Sequence, residues 1–210
     1  MGVTQVESTN SPVTSRGRPS AVACVLVGVV SGLAWAAAFR AYMSEISGGA
    51  SRIEWYGTFV AVLGAGVVTG ALLGLAEYYR RTGGRRYWRW LGLAPLSFAI
   101  LPLTMPDALL ALVTEGLGGG AVTIALIAIA GGFALSVRGA IWMRLVCGVL
   151  TLAVIGGLVA TVPAVGGIRL ALDQPRGAWV AILAASCVVV LCLASSIPFR
   201  RVEPVTDAAG

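Results

Sequence analysis

The sequence predicts an all-α fold: a polytopic membrane bundle of about six transmembrane helices with both chain ends in the cytoplasm. Three observations predict it: an apolar composition, six uncharged stretches near the length of a bilayer, and a one-sided distribution of arginine. Hydrophobic residues make up 58% of the 210 and charged residues only 11%, against roughly 25% in an ordinary soluble domain. Mean hydropathy is +0.89. A soluble domain of this size needs far more polar surface, so the solvent that suits this chain is lipid. One compact domain is the natural count for the length. It is expected over residues 21–199, between tails at 1–20 and 200–210.

A helical span needs about 20 apolar residues. Uncharged stretches run over 21–39, 56–76, 90–106, 116–137, 145–168 and 177–199. Lipid offers the backbone no water, so each stretch must close its hydrogen bonds within itself and is a helix. The third is the shortest and carries Pro95 and Pro102. Proline removes a helical hydrogen bond and kinks the chain, so this helix is expected to bend. Residues 1–20 are polar, rich in Ser and Thr, and contain Pro12 and Pro19; they are expected to form a disordered cytoplasmic tail. Arg16 and Arg18 before an apolar run, with Ala36, Ala37 and Ala38 after it, imitate a signal peptide. Signal cores run about 7–15 residues; this run is longer, so the first helix is expected to be retained.

Arginine placement sets the orientation. With the N-terminus inside, the cytoplasmic segments hold eleven: Arg16, Arg18, Arg80, Arg81, Arg85, Arg86, Arg89, Arg138, Arg144, Arg200 and Arg201. The outer segments hold four: Arg40, Arg52, Arg169 and Arg176. Reversing the chain or deleting one helix spoils this bias, so spans and charges support each other. Trp55, Trp88, Trp90, Trp142, Trp179, Tyr42, Tyr56 and Tyr87 cluster near the expected helix ends, as an interfacial aromatic belt does. The chain has no Lys and no His. Missing Lys is not a folding requirement and points to a GC-rich genome.

The second span carries Gly66, Gly70 and Gly74, one stripe at a spacing of four, and the first offers Gly28, Gly32 and Ala36 in the same pattern. Small residues so spaced let backbones approach where lipid removes the hydrophobic driving force. The two helices are therefore expected to cross in close contact. A glycine-lined pore, a substrate-facing groove or a homodimer seam are the alternatives. On the outer side, Thr104, Pro106 and Asp107 resemble a helix start, followed by a mostly apolar run that ends at Gly118, Gly119 and Gly120. Too short to span, the segment near 107–117 reads as a short interfacial or re-entrant helix.

Ionisable residues within spans mark ion and proton paths, and the six span centres contain none; Glu77 and Arg40 are expected at helix ends. What remains are mostly single hydroxyls: Ser31, Thr58, Thr69, Ser97, Thr123, Thr151, Thr161 and Ser186. These can bond to the preceding turn of their own helix, which argues against an ion-coupled pump. The halves show no repeat, so an inverted-repeat transporter gains no support. Without His there is no Ser-His-Asp triad and no metalloprotease motif. Without Lys there is no Schiff base and no Walker A loop. No acidic cluster suits magnesium, and no Asp pair lies within the spans. Cys24, Cys147, Cys187 and Cys192 form no Cys-x-x-Cys and read as small buried apolar residues. No catalytic residue, cofactor or metal is expected.

Two charged clusters stand out. Arg80, Arg81, Arg85, Arg86 and Arg89 interleave with aromatics between the second and third spans, with Glu77 four residues before Arg81. They are expected to set topology and to anchor on anionic lipid headgroups, each gaining on the order of 1 kcal/mol. A specific phosphate or partner site is the sharper alternative. The outer cluster comprises Arg40, Glu45, Arg52, Glu54, Asp107, Glu115, Arg169, Asp173 and Arg176. It is expected to pair across loops and tie the bundle ends, with a binding vestibule as the alternative.

The stretch from Arg52-Ile53-Glu54-Trp55-Tyr56-Gly57 to the arginine- and tryptophan-rich loop ending at Trp90 resembles uncharacterised multi-span membrane proteins of actinobacteria. That resemblance implies a bacterial plasma (inner) membrane and no particular activity. Taken together, the residues point foremost to a non-enzymatic structural, accessory or partner-binding bundle. Its expected partners are the lipid bilayer, anionic lipid headgroups, and another membrane protein or a second copy in a homodimer; no nucleic-acid partner is expected. The alternative is a small transporter or lipid-handling protein for an apolar substrate, which would require a cavity open to one side. A membrane enzyme working through Glu54, Asp107 and Glu115 ranks last.

Overall fold

Long runs of Ala, Leu, Val and Gly close their own backbone hydrogen bonds, and among the described residues of the computed structural model they form six helices. The structure describes residues 20–48, 51–104, 119–137 and 139–202, and among these there is no strand. Helix α1 spans Ala21–Ser47 and stops at Gly48, whose left-handed φ of 56° turns the chain while its amide bonds the Ser44 carbonyl. Helix α2 spans Trp55–Arg81. Its first part, Trp55–Gly64, is wound as a π-helix, and Ala65–Arg81 is α-helical. Helix α3 covers Trp88–Leu103 and changes from 3₁₀ to α winding at Ser97, two residues after Pro95. Pro95 lies in the 3₁₀ part and Pro102 in the α part. Helix α4 is Gly119–Ala134. Helix α5 is Ile141–Gly166, followed by a 3₁₀ turn at Gly167–Leu170. Helix α6 is Pro175–Ser195, opened by a proline in its first turn, and a 3₁₀ turn at Ile197–Phe199 follows.

Four of the six helices, α1, α2, α5 and α6, are long and apolar enough to cross a membrane; α3 and α4 are shorter apolar helices. The short helix expected near 107–117 lies outside the described residues, as do residues 1–19, Asp107, Glu115 and Arg138. Half of the apolar window of α6 and 44% of that of α2 are buried, against 6% for α1 and 11% for α5. Helices α2 and α6 are therefore central, and α1 and α5 lie on the outside. The larger core cluster joins Ala65, Phe98, Ile124, Ile127, Val188 and Leu191, contributed by α2, α3, α4 and α6. A second joins Tyr42, Val162, Leu170 and Val180 near the other end.

Two expectations about the helix ends need correction. Helix α1 runs past residue 39, so Arg40 sits within it and not at its end. Its long side chain reaches the α1–α2 loop, donating to the Ser51 hydroxyl (3.0 Å) and the Arg52 carbonyl (2.6 Å). Tyr42 and Trp88 are buried at 5% and 7% exposure and are not belt residues, whereas Trp55, Tyr56, Tyr87, Trp90, Trp142 and Trp179 are exposed. Tyr42 was absorbed by the second core cluster, and Trp88 by its packing beside Gly84.

A buried polar clamp joins α2 to α3. The Ser97 hydroxyl donates to the Ala65 carbonyl (3.1 Å), and the Thr69 hydroxyl bonds to that of Ser97. Thr69→Val removes the cross-helix bond to Ser97, whose hydroxyl keeps the Ala65 carbonyl, and is expected to cost about 1 kcal/mol in detergent unfolding titrations. Ser186→Ala is the comparison. Its exposed hydroxyl donates to the Leu183 carbonyl of its own helix (3.0 Å), and its effect should stay within about 0.5 kcal/mol.

Candidate functional site

Helices α1 and α2 run antiparallel and meet along glycine. Gly28 faces Gly70 and Gly74, Gly32 faces Gly66 and Gly70, and Ala36 faces Gly66. A methyl group built on Gly28 would land on the carbonyl oxygen of Gly70, and one on Gly32 on that of Gly66. The backbones themselves are in contact, which only residues without a Cβ allow.

The same glycines form one wall of a cleft. A cavity of about 480 Å³ lies between α1, α2 and α6, with Phe98 of α3 at its inner end. That is within the usual size range of small-molecule sites, roughly 300–1,000 Å³. Helix α1 and its N-cap present Ser20, Cys24, Val27, Ser31 and Trp35 to it, a stripe at helical spacing, α6 contributes Val190 and Ala194, and the 3₁₀ turn after it contributes Ile197. From Ser20 to Trp35 is fifteen residues, or about 22 Å of helix at 1.5 Å per residue. At the inner end the indole of Trp35 donates to the Cys187 carbonyl of α6 (2.7 Å). Its ring stacks on Phe39 (5.2 Å between centroids) and tilts against Phe98 (5.0 Å). This contact pins α1 to α6, and from there to Ser20 the cleft separates the two helices.

Charge appears only at the mouth. Ser20, Glu77 and Arg81 line it. Arg80 grips Glu77 with two bonds, Nε to Oε2 (2.7 Å) and Nη2 to Oε1 (2.8 Å), and Arg81 Nε donates to Oε1. The side chain of Arg80 is 14% exposed and that of Arg81 46%. One carboxylate thus holds two guanidinium groups, and the more exposed one stands at the opening. The N-terminal end of α1, positive by its dipole, lies beside it.

The five loop arginines are not brought into one site. Arg80 and Arg81 belong to the end of α2, whereas Arg85, Arg86 and Arg89 are exposed beyond it. The chain turns there through Gly83 and Gly84, both at positive φ, and through Tyr87 at φ 68°. The Arg86 guanidinium lies 5.0 Å from the Tyr87 ring centre, and Arg89 borders a smaller groove with Trp90, Leu93 and Phe199. At the opposite end of the bundle, Glu45 of α1 gathers Arg176 (2.9 Å) from the first turn of α6 and Arg169 (3.9 Å) from the 3₁₀ turn after α5. Among the described residues Glu54 and Asp173 make no ion pair. The four cysteines are free, Cys187 and Cys192 buried and Cys24 and Cys147 partly so.

Trp35 and Phe98 went unnoticed among the candidate residues of the sequence. A tryptophan in the middle of an apolar stretch carries an N–H that needs an acceptor, and that was the available signal. Set against known proteins, the chain matches no family model, no curated protein and no solved structure.

Proposed function

We propose that this chain is a non-enzymatic, multi-pass protein of a bacterial plasma membrane that handles lipid, holding the apolar chain of an amphiphile in the α1–α2–α6 cleft. Six spans with both ends inside belong to the same reading. Helix α3 has nine residues in 3₁₀ winding and seven in α winding. At about 2.0 and 1.5 Å per residue these reach about 28 Å, close to the roughly 30 Å hydrocarbon core. The arginine bias then places the Arg80–Arg89 loop, the start of α1 and the end of α6 on the cytoplasmic side.

The observation that carries the reading is the cleft itself. Its length of about 22 Å exceeds the roughly 15 Å depth of one hydrocarbon leaflet. Its walls are mostly apolar, and the charged side chains that line it, Glu77 and Arg81, belong to one end of the bundle. A bundle acting only as a scaffold has no use for such a space, and lipid would fill it at no cost in desolvation. The accessory or partner-binding reading, foremost from composition, has no comparable feature to rest on.

The test is retention of an amphiphile through purification. Ser31→Phe and Ala194→Phe each push an aromatic ring into the cleft, while Val149→Phe changes an exposed position of α5 away from it. Mass spectrometry of organic extracts should find about one amphiphile per chain in the wild type and in Val149→Phe, and markedly less in both cleft variants. Equal retention in all four proteins would remove the basis of the reading.

A further inference from the structure

The rim says what kind of head the bound chain carries. We infer that the cleft takes an anionic single-chain amphiphile, whose carboxylate or phosphate head is read by Arg81 at the mouth; this rests on the cleft being an acyl-chain site. Among the described residues the one acidic side chain lining the cleft is Glu77, and it is already engaged by two guanidinium groups. Glu77, Arg80 and Arg81 together carry a net charge of +1, and the start of α1 adds a partial positive charge. A zwitterionic head would bring a cation to a rim already positive, whereas an anionic one finds a complement.

Arg81 is placed for that task by Glu77. The carboxylate accepts from Arg81 Nε, Arg81 itself lines the cleft, and the terminal nitrogens of its guanidinium are not needed for that bond. These can fork onto two oxygens of a carboxylate or phosphate. Arg80 is the more buried of the two and serves to hold Glu77. Below the head, the chain would run past Val27 and Ser31 toward Trp35. Arg81 is thus a specificity-determining contact and Glu77 a positioning residue.

The experiment uses the full chain in a neutral detergent, with tryptophan quenching by amphiphiles brominated along the chain. A brominated fatty acid, a brominated monoalkyl phosphate and a brominated fatty amide of equal chain length differ only in the head. The wild type should bind the two anionic probes about tenfold more tightly than the amide, the size of one charge-assisted hydrogen bond. Arg81→Gln should abolish that preference while binding the amide as the wild type does, which also shows the variant to be folded. Gln replacement of Arg85, Arg86 and Arg89 together should leave the preference intact. Inorganic phosphate at millimolar concentration should not displace the probes; displacement would indicate a free-anion site and overturn the proposal. Equal affinity for charged and neutral heads, or an equal loss of both in Arg81→Gln, would overturn it too while leaving the acyl-chain reading standing. Absence of saturable quenching by any probe would sink both.

Discussion

Gly70→Leu should leave little folded protein. Gly70 lies at the centre of the α1–α2 seam, where an added methyl already lands on the carbonyl oxygen of Gly28 and crowds the Cα of Gly32. Those neighbours are backbone and cannot rotate away. The only relief is separation of the two helices, which forfeits the dispersion contact along their whole length. Overpacking of this kind costs about 3 kcal/mol or more, a large part of the stability of any domain of this size. Gly156 on α5 supplies the comparison, because nothing lies within 4 Å of a Cβ built there. Gly156→Leu should change stability by less than about 0.5 kcal/mol. Unfolding followed by circular dichroism in mild detergent, with gel filtration for the folded fraction, separates the two. Comparable behaviour of both variants would mean that the close approach of α1 and α2 is not what holds the bundle.

The second large effect concerns topology. Replacing Arg80, Arg81, Arg85, Arg86 and Arg89 together by Gln should give mixed orientation or degradation, whereas any single replacement should leave a reporter in this loop cytoplasmic. These are five of the eleven arginines assigned inside, and the adjoining outer segments hold only Arg52 between α1 and α2 and none between α3 and α4. One loss leaves the bias in place; five losses remove the charge difference across two spans. A single replacement that inverted the reporter would contradict the collective role of the loop.

The helical class and the pairing of α1 with α2 were legible because each rests on a local rule. Uncharged length marks helices, and Gly28, Gly32, Gly66 and Gly70 at a spacing of four mark close approach. The cleft was not legible as such. It arises because the outer margin of that glycine seam faces α6, more than a hundred residues away in sequence, and because Trp35 reaches the Cys187 carbonyl. No local pattern encodes that distance. A glycine stripe reads equally well as a seam or as a groove, and in this chain it borders both. The same limit applies to hydroxyls. Thr69 and Ser97 look like self-satisfied helix residues, yet they bond to each other across α2 and α3. Arg40 was misplaced because a charge was taken to end a helix, while its side chain is long enough to reach the loop from within α1.

The most direct measurement asks how deep the chain reaches. Trp35 sits about 22 Å of helix from Ser20 at the rim, so its fluorescence reports on the inner end of the cleft. Subtracting the signal of Trp35→Phe isolates it from the five other tryptophans. Amphiphiles of one chain length, brominated near the head, at mid-chain or near the methyl end, should quench this difference signal with increasing strength in that order, and saturably. Quenching that is absent from the difference signal, or strongest for bromine near the head, would contradict an acyl chain lying in the cleft.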